Sequence, residues 1–511
     1  MEKKKVKSLW LTFAVILCAI QLAASFMIGI MLIRLNMLPT LYLSLILVLL
    51  LVLWLLVFFL IYRIDRRKQE KEIKKGYFLR RTIGSLIAIL VILGCIFAST
   101  ILDKFLATVN AITTIQSVET EEVNIYVLRD DPAESIEDAA DYTYGICTVY
   151  DYENSLETVR QLEETLGVSL QVVEYEDVFA LIDALYNKEI GAMILNSAYV
   201  DIIEEIEEYA DFSQKTRVLH YVEVQVVVET TAEDPQEKTD QENPDSNEEE
   251  LPETNGFIMY ISGSDTRSST LQRGNSDVNI LVVVNPDTHK ILMVSTPRDY
   301  YIDISIAPGN KDKLTHCGVY GTQCSRDTLG NLYGVSVDYY AQINFTGFET
   351  LVNAVGGVDV YSDATFSDGT YSFTEGYNYM DGAKALAFAR NRHSFSDGDR
   401  ARGRHQMAVI SAIIKKMTGS TALITNYASI MDSLSGMFTT NFPTEKIQEL
   451  VKQQLENPSS WEISTYSVSG SDSSNYCYSL RGMKVYVMLP DSGMVATAGD
   501  MIKEVLYPSA E

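Results

Sequence analysis

Residues 263–299 read GSDTRSSTLQRGNSDVNILVVVNPDTHKILMVSTPRD. Two apolar, β-branched runs, 279–284 and 290–294, flank Asn285-Pro286-Asp287. β-branched residues suit strands and the Asn-Pro-Asp cluster suits a turn, so the stretch predicts a hairpin with a short loop. A hairpin does not need the polar residues at its ends. Asp265 follows a further strand-like run, 257–262; Asp277 enters the first hairpin strand; Arg298 and Asp299 leave the second. Strand pairing would gather these ends, where two carboxylates and an arginine suit a divalent cation and a phosphate.

Working outward, the chain of 511 residues is 47% hydrophobic and 21% charged, room for two or three domains. Its net charge of −27 is unevenly spread: residues 1–102 carry 14 Lys+Arg against 4 Asp+Glu, the remainder 27 against 64. A body this acidic argues against general nucleic-acid binding, which depends on neutralising phosphates. Apolar runs at 8–33, 41–62 and 82–102 are each long enough to span a bilayer. The first is too long for a signal peptide and has no clear small-residue cleavage site. The loop between the second and third runs is dense in Lys and Arg, so the positive-inside rule predicts a cytoplasmic N-terminus and an extracellular remainder.

After the membrane region, 1–103, the segment 104–228 alternates strand and helix patterns, a small α/β accessory domain. Its acidic stretch 201–208 reads as a solvated helical face. Residues 229–255 hold eleven Asp or Glu, three prolines and no aromatic residue, the composition of a disordered linker. Residues 256–507 mix strands and helices as an α/β or α+β domain with a central sheet. Cys147, Cys317, Cys324 and Cys477 lie outside the membrane runs in no metal-binding spacing. Cys317 and Cys324 stand near enough in sequence to pair, and a free-thiol reading stands beside that one.

The segment 389–406, ARNRHSFSDGDRARGRHQ, concentrates five arginines in this acidic region. Arg402 and Gln406 share one helical face, Arg400 and Arg404 another. Arg390 and Arg392 close the preceding helix. The bland reading is a solvated basic patch; the functional one is a pocket whose guanidinium forks bind a pyrophosphate. With a cation on Asp265 and Asp277, such a pocket suits phosphoryl transfer, which needs mainly positioning and charge stabilisation. Ser295 and His316 lack the surroundings of a hydrolase triad. Neither a P-loop nor a zinc motif is present.

GSDTR, SDVN, STPRD, KLTH, NFTGFETLVNAVGGVDV, DGAKALAFARNR and DRARGRHQ, in this order, resemble the signature blocks of the LytR–CpsA–Psr family over about residues 256–418. The three spans and the extra outer domain resemble its streptococcal capsule-type, CpsA-like branch. The resemblance implies a membrane-anchored, Mg2+-dependent phosphotransferase of Gram-positive walls. It would move a glycopolymer (capsular polysaccharide, teichoic acid or similar) from a polyprenyl-pyrophosphate carrier to peptidoglycan, with residual pyrophosphatase activity and capsule or wall assembly proteins as further partners. It implies magnesium at Asp265 and Asp277, and a catalytic set of Asp277, Arg298, Arg390 and Arg392. Arg298, Arg390, Arg392, Arg402 and Gln406 would bind the pyrophosphate, with Lys313 and Arg273 on further polar positions of the pocket. The prenyl chain would lie in an apolar tunnel. Gly274 and Asn275 separate Arg273 from Ser276, and Cys317 follows the motif histidine, both departures from the usual pattern. The rival reading is a non-catalytic membrane regulator or scaffold that binds lipid-linked polymer. A transcriptional role fits poorly with an acidic body outside the membrane.

Overall fold

A computed structural model describes residues 2–62, 73–113, 117–228, 254–266, 270–392, 394–395, 398–420, 430, 432–434 and 436–508. The basic loop 63–72, Arg267 and nearly all of the expected linker 229–255 lie outside the described residues. The chain divides into two compact units, the first comprising Met1–Thr113, Ile424–Met431 and Pro443–Ser459.

In the first unit, α1 (Glu2–Leu35), α2 (Thr40–Tyr62) and α3 (Ile73–Thr113) carry the apolar runs. Thr12–Leu35, Thr40–Ile61 and Leu79–Asp103 are long and apolar enough to cross a membrane. Ala14, Cys18, Val57, Ile61 and Ala88 are buried where the helices meet. Small residues there let helices approach: a Cβ on Gly84 would stand 3.1 Å from the Leu60 Cβ. Phe26, Leu41, Leu90 and Phe97 face outward, largely exposed. Helices apolar on all sides and exposed on most of them require lipid rather than water as solvent. The chain is anchored in a membrane.

The second unit begins with β1 (Ser117–Leu128), β2 (Thr143–Cys147), α4 (Tyr152–Leu166), β3 (Gln171–Tyr175), α5 (Val178–Tyr186), β4 (Ala192–Asn196), α6 (Val200–Ile203), α7 (Phe212–Lys215) and β5 (Thr216–Val228). The sheet order is β3-β2-β4-β1-β5, with β2 parallel to β3 and β4, and β1 antiparallel to β4 and β5. Leu162 of α4 packs on Val123, Ile125, Ile146 and Ile194. Leu181, Ile182 and Leu185 of α5 belong to a separate cluster that continues into Val319, Cys477, Leu480, Val485 and Val487. One apolar cluster therefore crosses from this domain into the next. The acidic stretch expected as a helix over 201–208 is instead the one-turn α6 and a 3-10 turn at Glu207–Tyr209.

The second domain contains β6 (Phe257–Ser264), β7 (Val278–Asn285), β8 (Lys290–Ser295), β9 (Tyr301–Asp303), β10 (Lys311–Lys313), α8 (Thr322–Tyr333), β11 (Tyr339–Asn344) and α9 (Phe345–Ala354). Next come β12 (Val358–Ser362), β13 (Phe366–Ser367), β14 (Ser372–Phe373), β15 (Gly376–Met380), α10 (Gly382–Arg390), α11 (Asp399–Thr418) and β16 (Phe438–Thr440). After α12 (Thr444–Glu456), which belongs to the first unit, come β17 (Glu462–Ser467), β18 (Gly470–Cys477), β19 (Leu480–Pro490) and α13 (Ser492–Leu506). The central sheet runs β16-β11-β6-β7-β8-β17. The expected hairpin is β7–β8, antiparallel, with Ile280 opposite Ser295. Asn285 makes its turn: Oδ1 accepts the N–H groups of Asp287 at 3.1 Å and Thr288 at 3.2 Å.

Side chains alternate across the sheet. Ile258, Tyr260, Leu281, Val283, Leu292 and Val294 bury with Leu329 of α8 and Ala498 and Ile502 of α13. On the other side, α11 packs on β7, β8 and β17, and α9 on β11. Burial on both faces explains the unbroken ILVVV run. The mixed α/β class matches the expectation.

Candidate active site

The sheet brings the ends of β6, β7 and β8 together. Gly263 pairs with Val278, and a Cβ on Gly263 would stand 2.8 Å from the Val278 side chain. Asp265 therefore leaves β6 beside the point where Asp277 enters β7. Arg298, just past β8, donates through Nη1 to Asp277 Oδ1 at 2.5 Å. Burial, with Asp277 alongside, pushes the Asp265 carboxyl above its ordinary range, against the opposing effect of Arg390 and Arg298.

These residues line one cavity of about 1000 Å³ with Arg390, Arg392, Arg402 and Gln406. Its helical walls change character along their length. On α10, Ala383, Leu386, Ala387 and finally Arg390 face the cavity; on α11, Arg402, Gln406, Ile410 and Ile413 do. Both sets follow the three- and four-residue spacing of one helical face. Arg402 to Ile413 covers about 16 Å of helix axis. The end of α10 and the start of α11 form the polar mouth, and their other halves line an apolar channel. Phe345, Phe348 and Leu351 of α9, with Ile343 and Phe438, add apolar wall, and Glu349, Asp368 and Thr370 are polar residues in the same lining. Arg390 lies over the Phe345 ring at 4.5 Å, where polar and apolar parts meet. Gly403 allows the close fit, since a Cβ there would meet Ser295 Oγ at 2.6 Å.

Arg400, expected on a different face, lines a small second cavity that shares Asp277, Arg298, Arg402 and Gln406 with the main one. Arg404 points elsewhere and pairs with Asp363 at 3.4 Å. Two other expected pocket residues lie outside the walls of both cavities. Arg273 Nη1 meets Glu121 of the accessory domain at 2.5 Å. Lys313 Nζ meets Glu205 of that domain at 2.8 Å and Asp299 at 3.4 Å. The physical reason is the same for both: buried or half-buried carboxylates of the docked accessory domain need cationic partners.

Asp312, His316 and Cys477 bring three donor atoms within 4.8 Å of one another, all buried. Hydrogen bonds already occupy the set. His316 Nδ1 contacts Asp312 Oδ1 and Ser479 Oγ, each at 2.7 Å, and Asp312 Oδ2 accepts the Ser479 N–H at 2.8 Å. All six cysteines are free thiols, Cys317 and Cys324 included.

Residues 220–491 match the LytR_cpsA_psr family. The chain belongs to the LytR–CpsA–Psr family. It is 33% identical over 196 residues to the polyisoprenyl-teichoic acid–peptidoglycan teichoic acid transferase TagU of Enterococcus faecalis, covering 38% of this chain and 64% of that protein. It is 30% identical over 246 residues to the protein of the same name from Bacillus cereus, covering 47% of this chain and 79% of that one. The crystal structure of Bacillus subtilis TagV superposes with a TM-score of 0.42 at 26% identity, over 50% of this chain and 98% of TagV. The chain thus spans 64% of the length of the first of these relatives.

The residues of the apolar channel are not marked by any motif in the sequence. Neither are Glu121 and Glu205. Their partners lie far away in the chain, and no local pattern marks them.

Proposed function

We propose that this LytR–CpsA–Psr protein transfers a glycopolymer from a polyprenyl-pyrophosphate carrier to peptidoglycan. One observation carries the reading: a single cavity joins a mouth of carboxylates and arginines to an apolar channel. A prenyl pyrophosphate has that same division of chemistry. The names of the relatives, polyisoprenyl-teichoic acid–peptidoglycan transferases, support the same substrate classes.

In this reading Arg298, Arg390, Arg392 and Arg402, with Gln406, hold the pyrophosphate, and α9, α10 and α11 hold the prenyl chain. An acceptor hydroxyl of peptidoglycan attacks the phosphorus next to the polymer. A new P–O bond forms, the bond to the bridging oxygen breaks, and polyprenyl phosphate leaves. The hydroxyl proton passes to Asp265 or Asp277, directly or through water. The arginines stabilise negative charge on the phosphoryl oxygens as the bond breaks. Asp265 and Asp277 suit magnesium: burial first, and then the neighbouring Asp277, raise the Asp265 carboxyl, a cost that a cation would relieve, and oxygen ligands match this ion. Bound there, the ion would offset pyrophosphate charge.

The basic composition of the N-terminus and of the 63–72 loop supports a cytoplasmic side for both and an extracellular side for the cavity. The experiment is transfer by the purified full-length chain from a labelled prenyl-pyrophosphate glycan to peptidoglycan, with and without chelator. Transfer that persists in excess chelator contradicts the magnesium assignment. Binding without any transfer contradicts the enzyme reading and leaves the scaffold.

A further inference from the structure

We infer that Glu205, a residue of the accessory domain, is a positioning residue for Arg298 in the cavity of the neighbouring domain. The inference rests on the transfer reading above for its link to catalysis. Its structural basis is a run of alternating charges. Glu205 Oε2 accepts from Lys313 Nζ at 2.8 Å. Lys313 Nζ lies 3.4 Å from Asp299 Oδ1, and Asp299 Oδ2 lies 3.7 Å from Arg298 Nε. Arg298 Nη1 ends the run on Asp277 at 2.5 Å.

Exposure decides whether such a run matters. Exposed ion pairs are worth little, because water and salt screen them. Here the Lys313 side chain is 5% exposed, Asp277 11%, Asp299 17% and Glu205 25%. Charges this sheltered act on each other more strongly. Lys313 is shared between Glu205 and Asp299, and Asp299 between Lys313 and Arg298. Neutralising Glu205 leaves Lys313 to Asp299 alone. Asp299 then moves toward Lys313 and loosens its hold on the Nε side of Arg298. The guanidinium then loses an electrostatic contact 3.7 Å from its Nε, and its bond to Asp277 through Nη1 is left to hold it.

The docking that delivers Glu205 is independently anchored. Tyr150 of the accessory domain donates to the carbonyl of Ser479, and the apolar cluster of α5 runs into Val485 and Val487. Asp201, four residues before Glu205, faces the same site. Burial, together with Asp265 and Asp277, pushes its carboxyl up.

The test uses the full chain with farnesyl pyrophosphate as a binding probe and, separately, the transfer assay. Glu205→Gln keeps the shape and removes the charge. It should weaken farnesyl pyrophosphate binding about tenfold, as loss of a supporting partner behind a binding group commonly does, with the folded state retained at the assay temperature. Glu205→Asp should recover part of the loss. In a double-mutant cycle, Glu205→Gln with Lys313→Met should cost less than the two single losses combined. Unaltered affinity in Glu205→Gln, or simple additivity in the cycle, would overturn the inference. If the wild type binds the probe and transfers nothing, the transfer reading fails while the positioning of Arg298 is still decided by the binding arm.

Discussion

Arg298 Nη1 donates to Asp277 Oδ1 at 2.5 Å, across the adjoining ends of β7 and β8. The pair links the proposed cation ligand to a proposed phosphate ligand, so each change should disable the other's role. Arg298→Ala should lower transfer about a hundredfold or more, the usual loss when a charge-stabilising donor is removed. Arg298→Lys should rescue little, because an ammonium lacks the planar fork. Arg404→Ala, whose partner Asp363 lies away from the cavity, should stay within about twofold, as surface ion pairs contribute little. Initial rates with the purified variants check all three.

The apolar channel predicts a dependence on prenyl length. Each methylene withdrawn from water contributes about 0.8 kcal/mol. Affinity should therefore climb from geranyl to longer pyrophosphates until the channel is full. Ile413→Trp crowds the α11 wall and should cut long-chain binding about tenfold, in line with overpacking costs, while short-chain binding changes less. Titration calorimetry across a chain-length series measures this. A flat series would remove the channel from the account.

His316 predicts a pH effect on stability. Burial alone would push its imidazole down, but Asp312 and Glu205 outweigh burial and push it up to about 9. An unfolded histidine titrates near about 6.5. The folded pKa is the higher one, so this contribution is complete below about pH 6.5 and is lost as pH rises through about 9. Asp312, Glu205 and Ser479 face the ring, and the shared core couples it to the docked domain. The melting temperature of the wild type should fall over this window more steeply than that of His316→Asn. Parallel curves would contradict the assignment.

The charge asymmetry predicts topology. A reporter active only outside the cell should be active when fused after Asn110 and silent when fused at Lys71. Equal activity at both positions would contradict the proposed orientation.

The hairpin was legible because both periodicity and turn chemistry are local. Asn285 makes the turn within three residues, and α10 closes at Arg390, with Arg392 just past its end. Other elements were hidden. The α8 sequence TQCSRDTLGNLY is mostly polar, the α13 sequence SGMVATAGDMIKEVL is rich in small residues, and the β18 strand GSDSSNYC has little apolar alternation. Tertiary packing holds them where propensity does not. At the site, helical spacing put Arg402 and Gln406 on one face. It could not show that Arg273 and Lys313 turn to Glu121 and Glu205, because those contacts cross between domains. The reading of 201–208 as a solvated face failed for Glu205 for the same reason.

The identity of the leaving group tests the central claim most directly. Full-length protein, a prenyl-pyrophosphate glycan carrying labelled phosphorus next to the sugar, and peptidoglycan are incubated together, and the products are separated. The account predicts prenyl monophosphate in solution and the label in a phosphodiester on peptidoglycan, in equal amounts. Release of prenyl pyrophosphate with unlabelled peptidoglycan, or no release at all, would contradict it.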